Sequence, residues 1–323
     1  MSAIETNALT KQFGEDVLAV DELDLTVEKG EVFGFLGPNG AGKSTTINML
    51  LDLTRPTSGS ATVLEHDIQE ESQAIRERIG VLPEGYDLYD RLTGRKHIEF
   101  AIDAKDVDDD PDAILDRVGL DGADGDRDVG GYSKGMQQRL ALGMALTGDP
   151  ELLILDEPSS GLDPTGIREV QEIVQAEADR GKAVFFSSHI LPEVEAVCDR
   201  IGVLNEGRLV AVGSIDELQQ EFAGDAKLDL ALDQVPQQAV ESLPSVEGVT
   251  DAITCEEGLR VRCRESRAKA KAINYVEDAG ATVTDIQVED HSLEDIFAAL
   301  TGEEEPGEET EISEAGAVQE VEA

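Results

Sequence analysis

The stretch Gly37, Pro38, Asn39, Gly40, Ala41, Gly42, Lys43, Ser44 and Thr45 constrains this chain more than any other feature. Gly37, Gly42, Lys43 and Ser44 occupy the fixed positions of G-x-x-x-x-G-K-[ST]. An apolar run, 32–36, precedes it and a helical-looking run, 45–53, follows. Strand, glycine loop and helix in that order is the context the motif requires. The glycines let the backbone curl so that successive N–H groups point into one concavity, which suits an anion. The helix N-terminus behind adds roughly half a positive charge at the same place. Lys43 is then expected to reach the β- and γ-phosphates of a nucleotide, and the Ser44 hydroxyl to ligate Mg²⁺.

A second element completes that chemistry. Leu152-Leu-Ile-Leu-Asp-Glu157 is an apolar run ending in two carboxylates. Such a run suits a buried parallel strand, and ligands of open α/β sheets lie at the carboxyl ends of their strands. A phosphate-loop ATPase needs one carboxylate near Mg²⁺ and a group that orients the attacking water. Asp156 fits the first role and Glu157 the second. Ala183-Val-Phe-Phe-Ser-Ser-His189 repeats the arrangement and brings His189 to another strand end, where it can sense a γ-phosphate. His66, His97 and His291 lack such a setting and are read as surface or packing residues. Ser133 stands before a helical pattern as a natural N-cap, which presents a second helix N-terminus and the free backbone of Gly135, although these residues alone read as one more capped helix. Phe13, alone in a polar stretch, suits either a core or stacking on a purine.

Composition narrows the partners. The chain has 323 residues, 70 Asp and Glu against 26 Lys and Arg, and a formal net charge of −44. Phosphate backbones are held by Lys and Arg, so direct binding to nucleic acid is not expected. Adsorption to anionic lipid is disfavoured for the same reason. No apolar stretch approaches the ~20 residues that span a bilayer, and no basic region followed by an apolar run marks a signal peptide. A membrane role would have to come through a partner. Cys198, Cys255 and Cys263 are too few and too scattered for a disulfide framework or zinc site, and read as reduced thiols of a cytosolic protein.

Taken in order, the phosphate loop, the Ser133-Lys-Gly-Met136 segment, the 152–157 strand, Ser160-Gly-Leu-Asp163 and His189 resemble the nucleotide-binding subunit of the ATP-binding cassette family. The resemblance covers roughly residues 3–222. It implies a phosphate-loop α/β cassette with a parallel core sheet, an antiparallel β subdomain and a helical subdomain. It also implies that Phe13 stacks on adenine, that Glu157 is the catalytic carboxylate and that His189 is the switch histidine. Asp163 would lie in the loop coupling two ATP sites, and Ser133 and Gly135 would contact ATP across a dimer. Two positions depart from the usual pattern. The family's L-S-G-G-Q reads Tyr132-Ser-Lys-Gly-Met136, and its glutamine after the strand near residue 83 is Glu84, placed here beside Ser44 and Asp156 at the metal. Both variants look like the branch of drug, antibiotic and polymer exporters whose permeases are separate chains. His291-Ser-Leu-Glu-Asp-Ile-Phe297 is similar to a segment near the C-terminus of that branch.

One phosphate loop and one Ser133 segment, with no internal repeat, mean that a shared site requires two chains and an isologous interface. The expectation is therefore a homodimer of cassettes that binds two MgATP and drives an integral membrane permease from the cytoplasmic face. The alternative, a non-transport cassette ATPase on ribosomes or nucleic acid, fits the charge poorly. Residues 223–302 read as β-α-β-β-α-β, a small C-terminal α+β domain of split βαβ type. Residues 303–323 carry nine Glu and no basic residue, and are expected to be disordered. The same acidity predicts a salt-rich, halophilic setting for the folded body, since self-repulsion must be screened.

Overall fold

A computed structural model of the chain describes residues 1–222, 226–255, 258–264, 266–289 and 293–302. The chain opens with an antiparallel pair, β1 (Ser2–Phe13) and β2 (Val17–Glu28). Apolar alternation along the pair is broken, and the register shows why. The pairing slips between Thr6 and Leu9, where Ala8 takes φ 43°, and Glu22 opposite takes φ 49°. Bulges of this kind add a residue and reset which face is buried, so a continuous strand reads as fragments. Thr6 Oγ1 donates to Leu23 O and accepts from Leu25 N, both at 2.8 Å, stitching the slipped region together.

Next come β3 (Val32–Leu36), α1 (Lys43–Leu50), β4 (Ser58–Val63), β5 (His66–Asp67), α2 (Ser72–Arg78) and β6 (Ile79–Leu82). β4 and β5 join the first pair in an antiparallel sheet of order β2-β1-β4-β5. A helical layer follows, with α3 (Gly94–Lys105), α4 (Pro111–Arg117) and α5 (Lys134–Leu146). It closes over Ile98, Ile114, Leu115, Leu140 and Leu142, all buried. The acidic patch 106–112 is tied to its surroundings. Asp109 accepts from Gly148 N at 2.6 Å, Asp110 caps α4, and Asp112 pairs with Arg95 at 2.6 Å.

The chain then supplies β7 (Leu152–Asp156), α6 (Pro164–Asp179), β8 (Ala183–Ser188), α7 (Leu191–Glu195), β9 (Arg200–Asn205), β10 (Arg208–Gly213) and α8 (Ile215–Phe222). The second sheet has the order β10-β9-β3-β8-β7-β6, parallel except at the β9–β10 edge. Every residue of β3, β7 and β8 is buried, the signature of a sheet covered on both faces. Phe33 and Phe185 stack at 6.0 Å within it. β6, β3, β8 and β7 all point their carboxyl ends at one crevice. That single edge receives Glu84, the phosphate loop, His189 and the two carboxylates.

A separate core is built from β11 (Ala226–Leu232), α9 (Gln237–Ser242), β12 (Val249–Cys255), β13 (Gly258–Cys263), α10 (Ser266–Asp278) and β14 (Val283–Glu289). The strand order is β12-β13-β11-β14, with every neighbouring pair antiparallel, which is the split βαβ topology. The last helix, α11 (Leu293–Thr301), does not join that core. Ile296 is buried in the cluster that fills the helical side of the cassette, and Asn205 Nδ2 donates to Leu300 O at 3.2 Å. Residues assigned by sequence to the C-terminal domain thus pack back on β9. His291, Ser292 and the tail 303–323, with the disorder expected of it, lie outside the described residues. Among the described residues no helix is long and apolar enough to cross a membrane.

Candidate active site

The phosphate loop leaves β3 and enters α1 through Gly42, whose φ of +110° only glycine adopts readily. A Cβ there would run into the Ala19 carbonyl of β2, so the loop and the antiparallel sheet meet at that residue. Lys43 opens α1 and is 6 % exposed. A buried ammonium must be surrounded by acceptors. Here Nζ donates to Gly37 O at 2.6 Å and Pro38 O at 3.4 Å, and lies 3.3 Å from Glu157 Oε1.

The carboxylates are set by strand register. Asp156 ends β7 opposite Ser187 of β8, and its Oδ1 accepts from Ser187 Oγ at 2.6 Å. Glu157, one residue on, sits in the left-handed region at φ 50°. That conformation costs on the order of 1–3 kcal/mol in a non-glycine residue and persists only where its surroundings enforce it. Ser187 enforces it, because Glu157 N donates to Ser187 O at 3.2 Å and to Ser187 Oγ at 3.0 Å. The turn aims the Glu157 side chain back into the crevice. There Oε2 meets His189 Nδ1 at 2.8 Å while Oε1 faces Lys43. Lys43 and His189, drawn from two distant stretches of sequence, thus converge on one carboxylate.

A cavity of about 340 Å³ opens in front of this cluster. Pro38, Asn39, Gly40, Gly42, Lys43, Ser44, Thr45, Glu84, Glu157 and His189 line it. Gly37 and Ala41 stand behind the wall, Ala41 in the core and Gly37 through its carbonyl bond to Lys43. Ala19 and Ser160 also line the cavity; sequence marks Ser160 only as the start of Ser160-Gly-Leu-Asp163 and gives no place to Ala19 or Ser187. Ser187 had one signal, a hydroxyl at a strand end beside His189. Ala19 had none, since its role depends on how two sheets pack.

Phe13, Ser133, Gly135 and Asp163 are not part of this wall. Phe13 stands exposed at the end of β1, with Lys11 Nζ 4.8 Å from its ring centre. Ser133 is exposed and caps α5, accepting from Met136 N at 3.2 Å. Asp163 caps α6, accepting from Gly166 N at 2.8 Å.

For a metal, the Ser44 hydroxyl and the Glu84 carboxylate line the cavity, while Asp156, buried at the end of β7 with Oδ1 accepting from Ser187, does not line it. All three offer oxygens, as a hard cation such as Mg²⁺ requires. Among the described residues no group of three or more acidic, histidine or cysteine side chains forms a cage.

A glycine loop at the carboxyl edge of a parallel sheet, a desolvated lysine and paired carboxylates define a phosphate-loop nucleoside triphosphatase. Residues 20–160 match the family described as ABC transporter. The daunorubicin resistance ATP-binding protein DrrA3 of Streptomyces coeruleorubidus is 36 % identical over 313 residues, 94 % of this chain and 97 % of the relative. The bacitracin transport ATP-binding protein BcrA of Bacillus licheniformis is 37 % identical over 306 residues, covering 93 % of this chain and 97 % of its own. A solved ATP-binding subunit of an ABC transporter overlays with a TM-score of 0.61 at 28 % identity, over 68 % of this chain and 93 % of that one. A dimeric cassette bound to ADP and Pi gives a TM-score of 0.59 at 23 % identity, over 66 % of this chain and 98 % of that one, a likeness of fold. The chain belongs to the ABC transporter family as one of its ATP-binding proteins, and its activity is ATP hydrolysis coupled to transport.

Proposed function

We propose that two copies of the chain close around two MgATP, and that closure drives a separate membrane permease that exports its cargo from the cytoplasmic face. The observation that carries this reading is the position of Ser133 and Gly135. They sit at an exposed helix N-terminus, outside their own chain's cavity, where backbone N–H groups and the helix dipole favour an anion. A second copy related by a two-fold axis brings that end to the γ-phosphate held by Lys43 of the first. Asp163, also outside its own cavity, then lies between the two sites. Phe13 stacks on adenine at the edge of the antiparallel sheet. Ser44 and Asp156, with Glu84, would hold Mg²⁺, which would supply positive charge against the β- and γ-phosphates. Lys43 exchanges its loop carbonyls for phosphate oxygens, Glu157 orients and deprotonates water, and His189 holds Glu157 in place.

Complementation between defective chains tests the shared site. Lys43→Ala alone should lose ATP affinity, and Ser133→Ala should keep affinity but lose turnover. Mixed dimers should recover activity, because each contains one intact composite site. Proven heterodimers without ATPase activity would overturn the model.

Export is supported by the daunorubicin resistance and bacitracin transport named for the relatives. A surface for the permease is also present. An apolar groove of about 480 Å³ runs between α1, β6, α3 and α5, lined by Leu51, Leu53, Phe100, Ala101 and Met144 among others. Phe100 is 62 % exposed, an expensive residue to leave in water unless something covers it. The groove flanks β6, whose carboxyl end leads to Glu84, and Tyr86 beyond it donates to Gln138 of α5 at 2.7 Å. Burial pushes the Tyr86 phenol up to about 12, so it stays a donor. A helix seated in the groove is thus linked both to the ATP cavity and to the helix that begins after Ser133. Phe100→Asp should abolish transport while leaving ATP affinity unchanged. Undiminished transport by that variant would exclude the groove.

A further inference from the structure

Behind the catalytic pair lies a buried acid that neither ATP binding nor hydrolysis uses directly. Glu193 of α7 is 5 % exposed. Its Oε2 accepts from Ser188 Oγ at 3.2 Å, and Ser188 Oγ in turn accepts from Ile190 N at 2.9 Å. Ser188 and Ile190 are the two neighbours of His189. One carboxylate therefore fixes one hydroxyl, which fixes the backbone on both sides of the histidine. The other oxygen, Oε1, is buried and makes no hydrogen bond. The same holds for Ser159 Oγ, at a residue 2 % exposed.

Two buried, unsatisfied polar atoms are costly and ask for a reason. One lies on α7 and the other in the loop between β7 and α6. Ser159 follows Glu157 by two residues and opens the stretch that runs to Asp163. Burial pushes the Glu193 carboxyl up, the Ser188 and Ser159 hydroxyls pull it down, the Glu157 charge pushes it up again, and His189 pulls it down. Ser159 Oγ and Glu193 Oε1 are both buried without a hydrogen bond, and the Ser159 hydroxyl acts on the Glu193 carboxyl, so a small shift of the 159–163 loop would make or break a hydrogen bond between them.

We propose that Glu193 is a positioning residue for hydrolysis, tying the Ser159–Asp163 loop to His189 through Ser159 and Ser188. Movement of the loop at the dimer interface then resets His189 against Glu157. The inference rests on the assignment of Glu157 and His189 to catalysis and on the shared site.

Steady-state ATPase kinetics of the full chain with its permease, together with ATP affinity, test it. Glu193→Ala should lower kcat by about 10- to 100-fold, the scale on which misplacement of a catalytic group acts. The KM and affinity for ATP should stay within about twofold, since nothing that binds nucleotide is touched. Glu193→Gln keeps an acceptor for Ser188 and adds a donor for Ser159, and should recover most of the loss. Ser159→Ala should lower kcat on its own and add little to Glu193→Ala, because the two act through one contact. Unchanged kcat in Glu193→Ala, a Gln variant no better than Ala, or fully additive losses would each overturn the proposal. If Glu193→Ala does not fold, Ser159→Ala against Glu193→Gln decides it by the same criteria. Wild-type turnover in Glu157→Gln would overturn the underlying site assignment instead.

Discussion

Glu157→Gln should hold ATP and fail to turn it over. The substitution keeps the size and shape of the side chain and removes its charge and its capacity to take a proton. A carboxylate that orients or deprotonates water contributes on the order of 10²–10⁴ in rate. The binding groups lie elsewhere, in the loop backbone, Lys43 and the metal donors. Binding should even gain a little. Lys43 now faces Glu157 Oε1 at 3.3 Å, and losing that partner frees its ammonium for the phosphates. ATP held without hydrolysis should also keep two chains closed on each other. Single-turnover hydrolysis, nucleotide retention and sedimentation of the variant report these three effects separately. Near wild-type turnover would remove Glu157 from the catalytic role.

How much of this was legible in the sequence depends on how local the cause is. The phosphate loop is a contiguous motif whose geometry follows from its glycines. The 152–157 run announces a buried strand with acids at its end. His189 could be placed because strand ends of a parallel sheet share one edge. What stayed hidden depends on register and packing between distant segments. Ser187 sets both carboxylates from a neighbouring strand, about thirty residues away in the chain. The bulge at Ala8 broke the alternation that marks a strand. α11 follows the C-terminal domain in sequence, yet its apolar face fits the cassette. His97 resolves to packing. It is buried, its Nδ1 meets Thr93 O at 2.8 Å, and its Nε2 accepts from Tyr89 N at 3.0 Å, which secures the loop ahead of α3.

The second large effect concerns the solvent. The melting temperature should rise steeply with KCl up to molar concentrations. Net charge is −44, and removing the nine Glu of residues 303–323 still leaves −35 on the remainder. The 26 basic residues cannot pair with 70 acids even if every one were engaged. Several already are, as in Arg78 with Glu151 at 2.6 Å, Arg95 with Asp112 at 2.6 Å and Arg260 with Asp229 at 2.6 Å. Exposed pairs of this kind contribute only about 0–1 kcal/mol each, too little to offset the surplus. The remaining acids repel across the surface of a compact body. At 0.01 M salt the screening length is about 30 Å, which spans a domain, and at 1 M it is about 3 Å, which reaches only close neighbours. Salt therefore removes most of the repulsion between distant charges and leaves the short contacts inside the fold. The cavity escapes this argument in part, because Lys43 and the loop N–H groups supply an attraction for phosphate that salt screens. ATP affinity should accordingly fall with KCl over the range in which stability rises. Thermal melts that coincide in dilute buffer and in molar KCl would show that the surplus charge does not limit the fold.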